Sequence, residues 1–342
     1  MVKMMQMMKT ITKQMNKIMK KTLILAALVL MSTVCFAQKN PATKKAKSYI
    51  MSETPDFGAA RAAIAEALET EPTAETYYWA GMIGYKQLER ENINQMMGQA
   101  ADVHAAGAAV EESYEYWLKA DELAQVPVLN KKGVEVPTDP KMRGNVSKKM
   151  LEYYKQQELV KYGVALNESR DFAGAYKAFK MHLDIPELAM MQNDKLQKDM
   201  PRDTTYIQYK YYAAIFAIQS EMHPEAIILL EQLKDGEYEG ISTNQFLFQE
   251  YMNVKDTVKA VETLQAAVVR FPQEPWFLQN LINHYIFSGQ EQTAIDYLAQ
   301  AIEREPNVAQ YHLIKVIICK NSDCGEGQES IYKMSKRATR VI

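Results

Sequence analysis

Residues able to do catalytic chemistry are scattered along the chain. The five histidines are His104, His182, His223, His284 and His312, and no two stand at a spacing that would bring two imidazoles to one metal ion. Met222-His223-Pro224 reads as a turn opening a helix, since Pro fits a first helical turn where its missing N–H has no partner to lose. Cys319 and Cys324 could join as a disulfide in an oxidising compartment or remain two thiols in a poorly structured tail. Standing without a downstream His or Cys, they do not form a zinc site. The sequence has neither a Gly-rich phosphate loop nor a Gly-x-Ser-x-Gly elbow. Carboxylate pairs such as Glu111-Glu112 fall on polar helical stretches, where they face solvent rather than converge on a reacting bond. The expectation is a non-catalytic chain with no metal and no cofactor.

What remains is recognition chemistry. Tyrosine is abundant, with 20 among 342 residues, and Tyr206, Tyr209, Tyr211 and Tyr212 cluster at helical spacing. Most such rings go into a core while the hydroxyl reaches a partner, and those left outside can stack on a ligand. Trp79, Trp117 and Trp276 are assigned to helix interfaces on the same reasoning. Exposed aromatics define one class of function, a carbohydrate- or peptidoglycan-associated binding protein. Asp203-Thr204-Thr205 and Asp256-Thr257-Val258 match the Asp-Thr-x acceptors that some bacteria use for O-glycosylation of exported proteins.

The elements that must position these residues show themselves by period. Ala260, Leu264, Ala267 and Pro272 return 34 positions on as Ala294, Leu298, Ala301 and Pro306, and Leu247 and Tyr251 return as Leu281 and Tyr285. Small, large, small and Pro in this order describe the second helix of a helix–turn–helix unit whose small residues admit a neighbouring helix. The pattern resembles the tetratricopeptide repeat family, with Leu278, Leu281 and Tyr285 at its first-helix Trp, Leu and Tyr positions. Ile282 stands where that family has Gly, which predicts a looser contact inside that pair. The resemblance implies an all-α fold, a right-handed α-solenoid of antiparallel helix pairs, serving as a protein-interaction scaffold.

The same grammar is legible upstream. Ala226, Leu230 and Leu233 fill second-helix slots after Ala213, Ala214 and Ala217; Ala175 and Phe179 do so after Leu159, Tyr162, Gly163 and Leu166. Ala60, Ile64, Ala67 and Pro72 repeat the second-helix signature near the start, followed by Tyr77, Tyr78, Trp79 and Gly81, and then by Ser113, Trp117 and Ala120 after an insertion. The reading is about six helical pairs over residues 38–314. Residues 88–104 are expected to extend helices, residues 126–147 to form a loop with a small hairpin around Val134 and Val136, and residues 184–205 to form a connector.

In the resembled family the second, fifth, sixth and ninth residues of each first helix face a concave groove. The matching positions here are Gln157 and Lys161, then Gln208, Tyr211 and Tyr212, then Gln245 and Gln249, then Trp276, Gln279, Asn280 and Asn283. Side-chain amides donate and accept together, so a row of them can hold an extended peptide by its backbone. Family members that clamp a terminal carboxylate use Lys, Arg and Asn here, and only Lys161 and the two Asn residues match that pattern. The alternative is that polar side chains line any exposed groove.

Six lysines precede an apolar run from Leu23 to Val34, no acid occurs before residue 38, and Cys35-Phe36-Ala37 resembles a small-x-small cleavage site. Residues 1–37 therefore read as a secretory signal peptide, directing the protein to the periplasm or outer membrane of a bacterium, with Met15 or Met19 as alternative start codons and a lipid anchor on Cys35 as the competing reading. Cleavage would remove six positive charges and no negative ones, taking the formal net charge from −2 to −8, which argues against general nucleic-acid binding. From Pro127 to Lys155 the balance reverses locally, and Lys131, Lys132, Lys141, Arg143, Lys148 and Lys149 are either a solvated surface or a contact for an acidic partner or membrane surface. Beyond Leu313 the repeat signature collapses. Cys319 to Gly327 reads as a loop, and residues 315–342 as a degenerate cap or a truncated or frameshifted end.

Overall fold

The computed structural model describes residues 40–321, and within them the chain is a succession of helices joined by short turns. Six antiparallel pairs follow one another: α1 (Pro41–Ile50) with α2 (Phe57–Thr70), α3 (Ala74–Met96) with α4 (Val103–Ala124), α6 (Glu158–Glu168) with α7 (Phe172–Asp184), α9 (Thr204–Gln219) with α10 (His223–Leu233), α11 (Gly240–Asn253) with α12 (Thr257–Arg270), and α13 (Pro275–Phe287) with α14 (Glu291–Arg304). A last helix, α15 (Ala309–Asn321), packs on α14. Each second helix also packs on the first helix of the next pair, so the core runs along an axis instead of closing on itself. The fold is an α-solenoid of helix pairs.

The periodic alanines do what their spacing predicts. Ala60, Ala175, Ala226, Ala260 and Ala294 are each 0% exposed. The residue four positions on fills the space between helices of its pair, and its size is matched across the interface. A Cβ at Gly163 would lie 2.5 Å from Phe179, and one at Gly81 2.4 Å from Trp117. Where the first helix carries Ala214 or Ile282 instead, the opposing slot holds Leu230 or Leu298, both fully buried. The pair with Ile282 is closed by a smaller partner and Ile282 itself is buried, yet its two helices approach each other less closely than those of the Gly163 pair, as the missing Gly predicts.

The turns inside four consecutive pairs share one backbone design. Arg170, Glu221, Lys255 and Gly289 adopt positive φ (63°, 57°, 63° and 71°), and the residue after each donates its N–H to the carbonyl of Leu166, Ala217, Tyr251 or Tyr285 at 2.8–2.9 Å. This left-handed cap reverses the chain within three residues. Asp171 and Asp256 then accept the N–H of Gly174 and Lys259 at 2.9 and 3.1 Å, opening the second helix.

Two interruptions break the period. After α4, β1 (Pro127–Leu129) and β2 (Glu135–Pro137) pair as a small antiparallel hairpin. The expected loop stops there, because Pro140 is a helix-opening residue capped by Asp139, and α5 (Pro140–Gln156) covers residues that Gly144 had suggested were irregular. Arg143 joins α5 to α4 through two hydrogen bonds to Asp121, at 2.9 and 3.0 Å. Lys149 lies over the Tyr85 ring at 3.6 Å and pairs with Glu152 at 3.0 Å, so neither cation belongs to a free basic loop. The second interruption holds two single-turn 3-10 segments, Ile185–Glu187 and Ala189–Met191, and the short α8 (Asp194–Lys198). Residues 88–96 and 103–104 extend the helices as expected, to 23 residues in α3 and 22 in α4, and 97–102 form the turn between them. At the far end, α15 continues through Cys319 to Asn321, where a loop was expected; Cys319 is buried, and Cys324 with its possible bridge lies outside the described residues, as do the leader and residues 322–342.

Candidate functional site

The first helices carry the expected recognition residues at equivalent places, but their side chains are engaged to different degrees. On α9, Gln208 donates to the Tyr212 hydroxyl at 3.0 Å, one helical turn away. Tyr212 is 38% exposed. Tyr211 is half-buried, edge-on to Tyr238 with ring centroids 5.7 Å apart, and burial pushes its hydroxyl pKa up. On α11, Gln249 donates to Asn253 at 3.1 Å, whereas Gln245 makes no side-chain hydrogen bond among the described residues. On α13, Trp276 sits edge-on between Phe248 and Phe277, at 5.6 and 5.3 Å, joining α11 to α13. Gln279 reaches the Tyr311 hydroxyl at 3.4 Å, and Asn283 is exposed with no partner among the described residues.

Two expected members are engaged otherwise. Asn280 turns onto the carbonyl of Trp276 in its own helix at 2.8 Å. Lys161 pairs at 3.1 Å with Glu158, whose side chain is 4% exposed, so its ammonium compensates a buried carboxylate. Gln157 is the exposed left-handed residue (φ 56°) between α5 and α6. The face thus offers Tyr212, Gln245, Gln279 and Asn283 on three consecutive first helices, backed by the rings of Trp276 and Phe248.

A cavity of about 870 Å³ lies elsewhere, in the cleft between the second helices α10 and α12. Ile227, Ile228 and Ala266 form apolar parts of its wall. Several of its polar groups are already engaged: Tyr251 donates to Glu231 at 2.6 Å, Lys234 bonds Glu231 at 2.8 Å, and Arg270 donates to the carbonyls of Lys234 and Gly236 at 3.1 and 2.9 Å. Burial raises the Glu231 carboxyl pKa, but the bonds from Lys234 and Tyr251 leave it lowered overall. Tyr251 is pushed up by burial and by the same carboxylate. This seam ties neighbouring pairs together, and no periodicity marked it, because Arg270 spans two units.

A smaller cavity, about 180 Å³, was also missed by sequence reasoning. It brings together Tyr154 from α5, His182 from α7 and Tyr206 and Tyr209 from α9, with Gln157 on its wall. His182 is 2% exposed, its Nδ1 has no hydrogen-bond partner, and burial lowers its pKa to about 4, so the ring is neutral. His223, by contrast, opens α10 as expected and bonds the buried Glu250 at 2.7 Å. Among the described residues no cluster of three or more His, Cys, Asp or Glu could hold a metal ion, and no helix is long and apolar enough to cross a membrane.

No family model matches the chain, and no curated protein matches it. Among solved structures it is similar to the TPR domain of P58(IPK), at 9% sequence identity over 88% of this chain and 97% of that one, with a TM-score of 0.20. The fold rests on the helices themselves.

Proposed function

We propose that this protein is an exported, non-catalytic scaffold of a bacterial cell envelope, holding a protein or peptide partner along its first-helix face. The observation that carries this reading is repetition: three consecutive first helices present side-chain amides and an exposed Tyr at matching positions, giving an extended surface instead of a closed pocket. Uncommitted amides such as Gln245 and Asn283 supply both a donor and an acceptor to a peptide backbone, and Tyr212 adds apolar area at low entropic cost. The Lys-rich start and the apolar run from Leu23 to Val34 support export.

The test is capture of partners from envelope extract by the wild-type chain and by a variant combining Gln245→Ala with Gln279→Ala. The variant is expected to lose most of the captured protein while melting at the wild-type temperature. Equal capture with an unchanged melting curve would show that the partner binds another face.

A further inference from the structure

The two interruptions of the repeat meet at one place. Neither is needed for the solenoid's own continuity, since α4 packs directly on α6 across the first and α7 directly on α9 across the second. Instead α5 packs on the 3-10 turns of the second interruption, burying Ile185, Met191 and Met200 completely. Residues of the two insertions and of the ends of α7 and α9 line the half-open cavity of about 180 Å³.

Its walls are aromatic and rigid. The Tyr154 ring lies flat on His182, with centroids 4.6 Å apart and planes 4° from parallel, and Tyr209 meets the same imidazole edge-on at 5.5 Å. Tyr206 is held by its hydroxyl on the Leu183 carbonyl at 3.1 Å. The rim is polar and uncommitted. Among the described residues, the Gln157 amide and the hydroxyls of Thr205 and Tyr209 make no hydrogen bond, and Asp203 spends only Oδ1 on capping α9. At the mouth Lys155 and Asp199 cancel each other as an ion pair of 3.2 Å.

We propose that this cavity binds one ring of a neutral saccharide, stacked by its apolar face on the tyrosine wall with its hydroxyls on Gln157, Thr205 and Asp203. Flat aromatic surface beside free groups that donate and accept is the combination a polyhydroxylated ring satisfies. The volume is below the range of about 300–1,000 Å³ that drug-sized ligands fill, which suits one ring and leaves no room for a run of peptide. Charge points the same way. Asp203 opposes an anion and Lys210, over the Tyr206 ring at 5.2 Å, opposes a cation, while Arg202 is already neutralised by Glu187 at 2.6 Å. This site is additional to the partner face and does not depend on it.

Calorimetric titration of the full chain with glucose, galactose, mannose and N-acetylglucosamine, and with trialanine amide as a neutral peptide probe, tests the assignment. At least one of the sugars is expected to bind, and Gln157→Ala with Thr205→Val, both exposed positions, is expected to weaken it about tenfold with an unchanged melting curve. Tyr154→Ala is expected to abolish the heat of binding. Binding of no sugar in the panel, of the peptide probe alone, or of a sugar unaffected by the Gln157 and Thr205 changes would each overturn the proposal.

Discussion

Replacing His182 with Phe should separate the cost of a buried imidazole from the benefit of its stacking. The ring is 2% exposed, stacked on Tyr154 and met edge-on by Tyr209, contacts that a phenyl ring of similar shape retains. Only the imidazole can take up a proton. Its pKa is lowered by burial from 6.5 to about 4, so the unfolded chain binds the proton more readily and stability falls as pH drops below about 6.5, with the loss complete below about 4. Integrated between pH 7 and pH 5, that shift corresponds to about 2 kcal/mol lost by the wild type and not by His182→Phe. At pH 7 the variant should be about 1 kcal/mol more stable, because Nδ1 has no partner and its burial is then no longer unfavourable. Carboxylates titrate in both proteins, so the quantity to follow is the difference between them. Urea unfolding at half-unit pH steps measures it, with an imidazole NMR titration as a direct check. Parallel stability curves from pH 7 to pH 5, or a His182 pKa near 6.5, would refute the reasoning.

Other expectations follow from packing and backbone geometry. Gly163→Ala sets a Cβ 2.5 Å from Phe179 and should cost about 1–3 kcal/mol in denaturant unfolding. Adding Phe179→Leu recreates the Ala214 and Leu230 combination and should recover part of that loss, so strict additivity in the double-mutant cycle would count against size matching. Lys255→Gly places Gly at φ 63° and should raise stability by about 0.5–1 kcal/mol, measured by thermal unfolding. Arg143→Ala leaves Asp121, whose side chain is 8% exposed, without its bidentate partner and should cost about 1–3 kcal/mol, with hydrogen exchange in α5 rising first.

Position in the repeat was readable because it depends on side-chain volume, which sequence states directly. Ala260 and Ala294 had to be small for helices to nest, and both are fully buried. The start of α5 was misread because Pro140 and Gly144 signal both loops and helices, and only the Asp139 cap distinguishes them. The turns inside the pairs were illegible for another reason: Arg170, Glu221 and Lys255 are not residues that announce a left-handed backbone, and packing of the flanking helices imposes it.

The candidate face divides along the same line. Periodicity located Gln245, Gln279 and Asn283 on successive first helices, since any residue's helical face follows from its distance to a buried neighbour. It could not foresee that Asn280 would bond its own helix or that Lys161 would serve Glu158, because those choices depend on which groups lie within about 3 Å in space. The sequence by itself determined an α-solenoid of paired helices and the direction in which its core runs. Tertiary structure alone decided that α5 and the 185–203 connector converge on Tyr154, His182 and Tyr209. Insertions carry no period, and where they fold back is set by the apolar surface they find to bury.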